Sequence, residues 1–77
     1  MAISELDRVV LIRDIPEAGL ASGDVGVVVH LYGDRSAVEL EVFSLTGETL
    51  AVATVPADAI RPVAGHDVVS ARTLAAE

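Results

Sequence analysis

Residues 23–34 read GDVGVVVHLYGD, a run of valines held between two Gly-Asp pairs. β-Branched side chains are stiff about χ1 and pack well on a pleated surface. The run therefore predicts a strand over Val25–Tyr32, with turns at Gly23-Asp24 and Gly33-Asp34. The other chemistry a glycine-rich stretch can carry is a phosphate cradle. That needs N–H groups converging at the start of a helix, and usually a lysine. Here the glycines run into valine, the chain has no lysine, and Asp24 repels phosphate. The stretch is turn chemistry. Gly26, one step inside the strand, predicts a bulge or the close approach of a neighbouring strand.

The rest of the chain repeats this grammar of short apolar runs and breakers. VVLIR at 9–13 reads as a first strand, stopped by Asp14-Ile15-Pro16 because proline has no N–H for a ladder. The connection that follows, through EAGLASGD, exceeds the roughly 2–5 residues of a hairpin loop, and long ordered loops often carry binding surfaces. AVELEVF at 37–43 alternates, with Val38, Leu40 and Val42 on one face and Glu39 and Glu41 on the other. That is the pattern of a half-buried antiparallel strand. SLTGE at 44–48 is a tight turn with Gly47 suited to positive φ. LAVATV at 50–55 reads as a fourth strand and PADA at 56–59 as a single 3₁₀ turn. IRPV at 60–63 is a short fifth strand, with Pro62 marking an edge or an end. Together these elements predict an all-β fold: a small, partly open, five-stranded barrel of SH3-like order spanning residues 1–63. The extension AGHDVVSARTLAAE at 64–77 permits a short helix, from the spacing of Val68, Ala71, Leu74 and Ala75 behind Asp67 as N-cap; its alternative is a frayed end.

Size and charge narrow the functional classes. A 77-residue chain is one small domain with a thin core, and it has no cysteine to staple it. An acidic start and no apolar run near the ~20 residues of a membrane span predict a cytoplasmic protein without a membrane partner. Twelve Asp and Glu face five arginines at 8, 13, 35, 61 and 72, for a net charge of −7. Nucleic-acid binders carry a basic stripe, so this charge pattern argues against a nucleic-acid partner. An acidic domain is suited to a basic protein surface, and equally to keeping an apolar chain soluble.

No catalytic, metal or cofactor constellation is present in the sequence. His30 and His66 lack metal-ligand spacing, and none of the serines at 4, 22, 36, 44 and 70 lies in a G-x-S-x-G elbow. Glu39 and Glu41 stand about 7 Å apart on a strand, as on a solvated face. Tyr32 and Phe43 are the only aromatics, too few for a proline-peptide groove or a base-stacking platform. The reading is a non-enzymatic protein-binding module. Its candidate contacts are the carboxylates Glu17, Glu39 and Glu41 and the apolar Ile15, Leu20 and Leu45, an apolar centre with a charged rim. The alternative is a self-associating structural protein whose tail packs between subunits.

The set Asp14-Ile15-Pro16, Ala18-Gly19, Gly23-Asp24-x-Gly26, Phe43, Gly47-x-Thr49 and Arg61-Pro62 resembles the small bacterial domain-of-unknown-function family 4926 over residues 5–63. The resemblance implies an SH3-like barrel and carries over no catalytic residue. Some family members are encoded beside candidate toxins, which implies an antitoxin or immunity role. GDVGVVVHLYGD also resembles the turn-strand-turn of SH3-like barrels in ribosomal proteins, but those are basic, so that likeness extends to fold only.

Overall fold

The computed structural model describes residues 3–74. Five strands follow in order: β1 (Arg8–Leu11), β2 (Val25–Leu31), β3 (Ala37–Phe43), β4 (Thr49–Pro56) and β5 (Ile60–Pro62). One 3₁₀ turn, Pro16–Ala18, lies in the first connection and another, Ala57–Ala59, leads into β5. All strand pairings are antiparallel, in the order β4-β3-β2-β1-β5. That order is compatible with an SH3-like barrel left open between β4 and β5. The expected all-β class and the 3₁₀ turn before the last strand are both observed.

The core is the inner face of this curled sheet. Val9 and Leu11 of β1, Val28 of β2, Val38, Leu40 and Val42 of β3, Val55 of β4, and Ala59 and Ile60 all pack into one buried cluster. The alternation in AVELEVF therefore does what it predicts, turning its three apolar residues inward. Ala51 and Ala53, the inward residues of β4 beside the open seam, are only partly covered.

Gly26 pairs with Val9 on this inner face. A Cβ there would lie 2.8 Å from Leu40 Cδ1 and 2.9 Å from the Glu41 carbonyl oxygen. β2 and β3 approach that closely because the position has no side chain. Three residues on, the β2–β3 register shifts between Val28 and His30, so Val28 faces Leu40 while His30 faces Glu39. Strict alternation from buried Val28 would turn His30 inward. The bulge at Val29 turns it out instead.

The first connection departs from its expected character. Ile15 and Leu20 bridge to one another, with Ile15 N–H donating to Leu20 C=O at 2.9 Å and Leu20 N–H donating back at 3.1 Å. Pro16 starts the 3₁₀ turn inside this loop and Gly19 ends it at φ 72°. Both Ile15 and Leu20 join the core, at 6% and 3% exposed. β1 also ends earlier than expected, at Leu11; Ile12 N–H still donates to Ala59 C=O at 2.8 Å, one step along the β1–β5 register, but there the facing segment is already the Ala57–Ala59 3₁₀ turn.

Residues 64–74 form neither helix nor strand. Asp67 does not cap a helix: its carboxylate accepts from the backbone N–H of Ala64, behind it, at 2.6 Å, and is gripped by Arg61 at 2.9 and 2.7 Å. Further along, Arg72 reaches across to Asp24, and Leu74 packs on the core near Gly19. The tail is thus laid along the barrel and tied at two points. Ala75, the last position of the expected helical spacing, lies outside the described residues.

Candidate functional site

The outer face of the sheet carries the acidic residues singled out in the sequence. Glu39 and Glu41 point to the same side of β3, and each is held by a hydroxyl from β4. Thr54 Oγ1 donates to Glu39 Oε1 and Thr49 Oγ1 donates to Glu41 Oε2, both at 2.6 Å. These contacts follow from the pairing: Thr54 stands opposite Glu39, and the irregularity near Phe43 brings Thr49 within reach of Glu41. Tyr32 Oη adds a 3.2 Å bond to Glu39. The two carboxylates are therefore fixed in direction while still reaching solvent.

His30 stands beside them, opposite Glu39, with its ring edge-on to Tyr32 at a 4.8 Å centroid separation. Its Nδ1 is 3.6 Å from Glu5 Oε2. Phe43 continues the β3 face and is partly exposed, and Leu45 in the turn after it is 81% exposed. Ser44 organises that turn. Its carbonyl accepts from Gly47 N–H and its hydroxyl accepts from Glu48 N–H, both at 3.0 Å, with Gly47 at φ 94°.

Of the six expected contact residues, Glu39, Glu41 and Leu45 thus share the β3 face and the turn that follows it. Glu17 is exposed but sits on the Pro16–Ala18 turn, off that face. Ile15 and Leu20 are corrected: both lie in the core, because the loop folds back on itself and closes over the barrel end. They are not available to a partner. Phe43 and Tyr32, which the sequence reading did not place at the face, belong to it.

A groove adjoins this face, sharing Phe43 and Leu45 with it, and the tail forms part of its wall. Val10, on the outward side of β1, is nevertheless buried at 6% exposed. It lines this groove, of about 910 Å³, together with Val25, Phe43, Leu45, Leu50 and the tail residue Val68. The ion pairs that hold the tail over this groove have clear electrostatic signatures. Arg61 beside Asp67, helped by the Ala64 N–H, holds the Asp67 carboxyl down at about 2. Arg72 donates to Asp24 and also to the Gly19 carbonyl, at 3.1 Å, and holds Asp24 below the usual carboxylate value against its partial burial. The Gly23-Asp24 turn of the opening motif thus receives an arginine.

Among the described residues, no group of three or more His, Asp or Glu side chains is placed to hold a metal ion, and no helix is long and apolar enough to cross a membrane.

Fold and face together define a small all-β domain with an ordered carboxylate surface. The chain matches the family model described as a domain of unknown function (DUF4926) over residues 5–62 and belongs to that family. No curated protein and no solved structure matches it.

Proposed function

We propose that the chain is a non-enzymatic protein-binding module that presents the outer face of β3 to a basic surface on another protein. The observation that carries this reading is the pair Glu39 and Glu41, side by side and held by Thr54, Tyr32 and Thr49. Carboxylates already oriented lose less side-chain freedom on binding a cation than free ones do. A net charge of −7 adds long-range attraction toward a basic partner. Exposed Phe43 and Leu45 supply apolar area beside the charges, in keeping with how interfaces are built. In the neutralising form of this reading, the face occludes a basic site on a toxin-like protein.

The test captures the partner on tagged chain from native lysate, in parallel with the Glu39→Lys/Glu41→Lys variant. Purified partner is then titrated against both chains at two salt concentrations. Electrostatic recognition predicts that charge reversal abolishes binding and that raised salt weakens it. Affinity indifferent to both changes would refute the reading.

A further inference from the structure

The segment after β5 covers apolar surface of the barrel and leaves its own apolar side chains bare. Val10 faces outward from β1 and stands outside the core cluster, yet it is buried, in a groove whose wall includes tail residues from Asp67 to Leu74. Val68 and Val69, in that wall, are 87% and 77% exposed. A tail that served only to complete the barrel would turn such side chains inward, because burial of apolar area is the main favourable term in folding.

Its attachment is sparing as well. Among the described residues, no backbone group of residues 64–74 hydrogen-bonds to the backbone of the barrel. The one backbone bond there, Asp67 N–H to Ala64 C=O at 3.0 Å, is internal to the segment. Two arginine–aspartate pairs hold it instead. Arg61 of β5 fixes its start at Asp67, and Arg72 fixes its end by donating to Asp24, with Nε–Oδ1 at 2.8 Å. Beyond the second tie, Leu74 is partly buried on the core near Gly19. Both arginines reach solvent, and such pairs contribute little and are screened by salt.

We infer that residues 64–74 are an autoinhibitory strap, which when tied walls off the groove and withholds Val10, Val25 and Leu50 from apolar residues of the protein that meets Phe43 and Leu45. The inference rests on the reading of the β3 face as a partner-binding surface, because Phe43 and Leu45 belong to both face and groove. Release needs no unfolding. The two pairs part, Leu74 lifts from Gly19, and every strand pairing remains. A site open for only a fraction of the time shows an affinity reduced by that fraction, so a strap untied about a tenth of the time weakens apolar binding about tenfold. Salt loosens the ties, so apolar access to the groove rises with salt while the attraction of a basic partner falls.

Titration of the full chain with Nile red, an uncharged apolar dye, tests the strap without any partner, and its outcome is read whether or not the β3 face binds a basic protein. Arg61→Gln/Arg72→Gln cuts both ties and is expected to bind the dye about fivefold or more tighter than the wild type, with amide shifts moving at Val10, Val25 and Leu50. Asp24→Asn keeps an acceptor for the Ala21 N–H but loses the charge that holds Arg72, and is expected to fall between the two. Raising salt from about 0.1 M to about 1 M should tighten dye binding more in the wild type than in the double variant, whose response reports only the general salting-out of apolar solutes. Circular dichroism establishes that each variant is folded, and Asp24→Asn carries the comparison if the double variant is not. No dye bound by any chain, equal affinity in all of them, weaker affinity in the variants, or shifts confined to residues outside the groove would each overturn the inference.

Discussion

Replacing Gly26 by alanine isolates the closest approach in the barrel. The new methyl would lie 2.8 Å from Leu40 Cδ1, and 2.9 Å from both Leu40 Cγ and the Glu41 carbonyl oxygen. Leu40 is fully buried and cannot swing away, and the carbonyl belongs to the β3 backbone, which is bound on both sides by β2 and β4. Relief therefore requires β2 and β3 to separate by several tenths of an ångström along their ladder. Overpacking of this kind costs about 1–3 kcal/mol, and a rigid obstacle places Gly26→Ala in the upper part of that range. The unfolded chain loses freedom on the same change, which returns about 0.4–1 kcal/mol. The net expectation is a loss of about 1–2 kcal/mol. In a domain of this size each kcal/mol moves Tm by about 4–8 °C, so thermal unfolding should fall by about 4–16 °C. Gly33→Ala is the control, because nothing lies within 4 Å of a Cβ there and its φ lies outside the left-handed region. A Gly26→Ala protein that melts with the wild type, or above it, would show that the strands are not packed at this distance.

Gly47→Ala meets no atom but must adopt φ 94°, so it should lower stability by about 1–2 kcal/mol in urea melts, from backbone strain alone. The Asp67 carboxyl titrates near 2 when folded, against 3.8 ordinarily, so the stability it contributes is complete above about pH 4 and lost as pH falls from 3.8 toward 2. Carboxyl NMR should find its midpoint near 2 in the wild type and raised toward 3.8, though short of it, in Arg61→Ala, where the Ala64 N–H still donates; an unmoved midpoint would contradict the pairing. Arg72→Ala removes the second tie of the tail, and NMR order parameters at residues 68–74 should fall while the amides of β2 and β3 keep their exchange protection. Accelerated exchange in the strands would mean that the tail is integral to the core.

The sequence reading found the strands and missed what depends on distance along the chain. β3 has the expected limits, Ala37–Phe43, because its alternation has one solution. In β2 the run VVV is apolar on both parities, so it held no trace of the bulge that turns His30 outward. Ile15 and Leu20 looked like exposed loop residues because they follow no period. Their burial comes from a local backbone bridge that the small residues between them permit. The carboxylates of the β3 face were legible, but the threonines and tyrosine that orient them come from neighbouring strands. The tail was the least legible element. Its helical spacing is a local signal, and it lost to two arginine–aspartate pairs, one of which joins positions 48 residues apart.

The place of β1 in the sheet has a consequence for the order of folding. It lies between β2 and β5, so Val10 stands opposite Arg61 in a ladder whose other strand, Ile60–Pro62, is the last of the five. The meander β2–β3–β4 is joined by short turns and pays little loop-closure entropy, whereas the β1–β5 pairing must close the loop from Leu11 to Ile60. The meander is thus the early unit, β1 joins it through β2, and β5 docks last. During synthesis β1 emerges first yet keeps one edge unpaired until the last strand arrives.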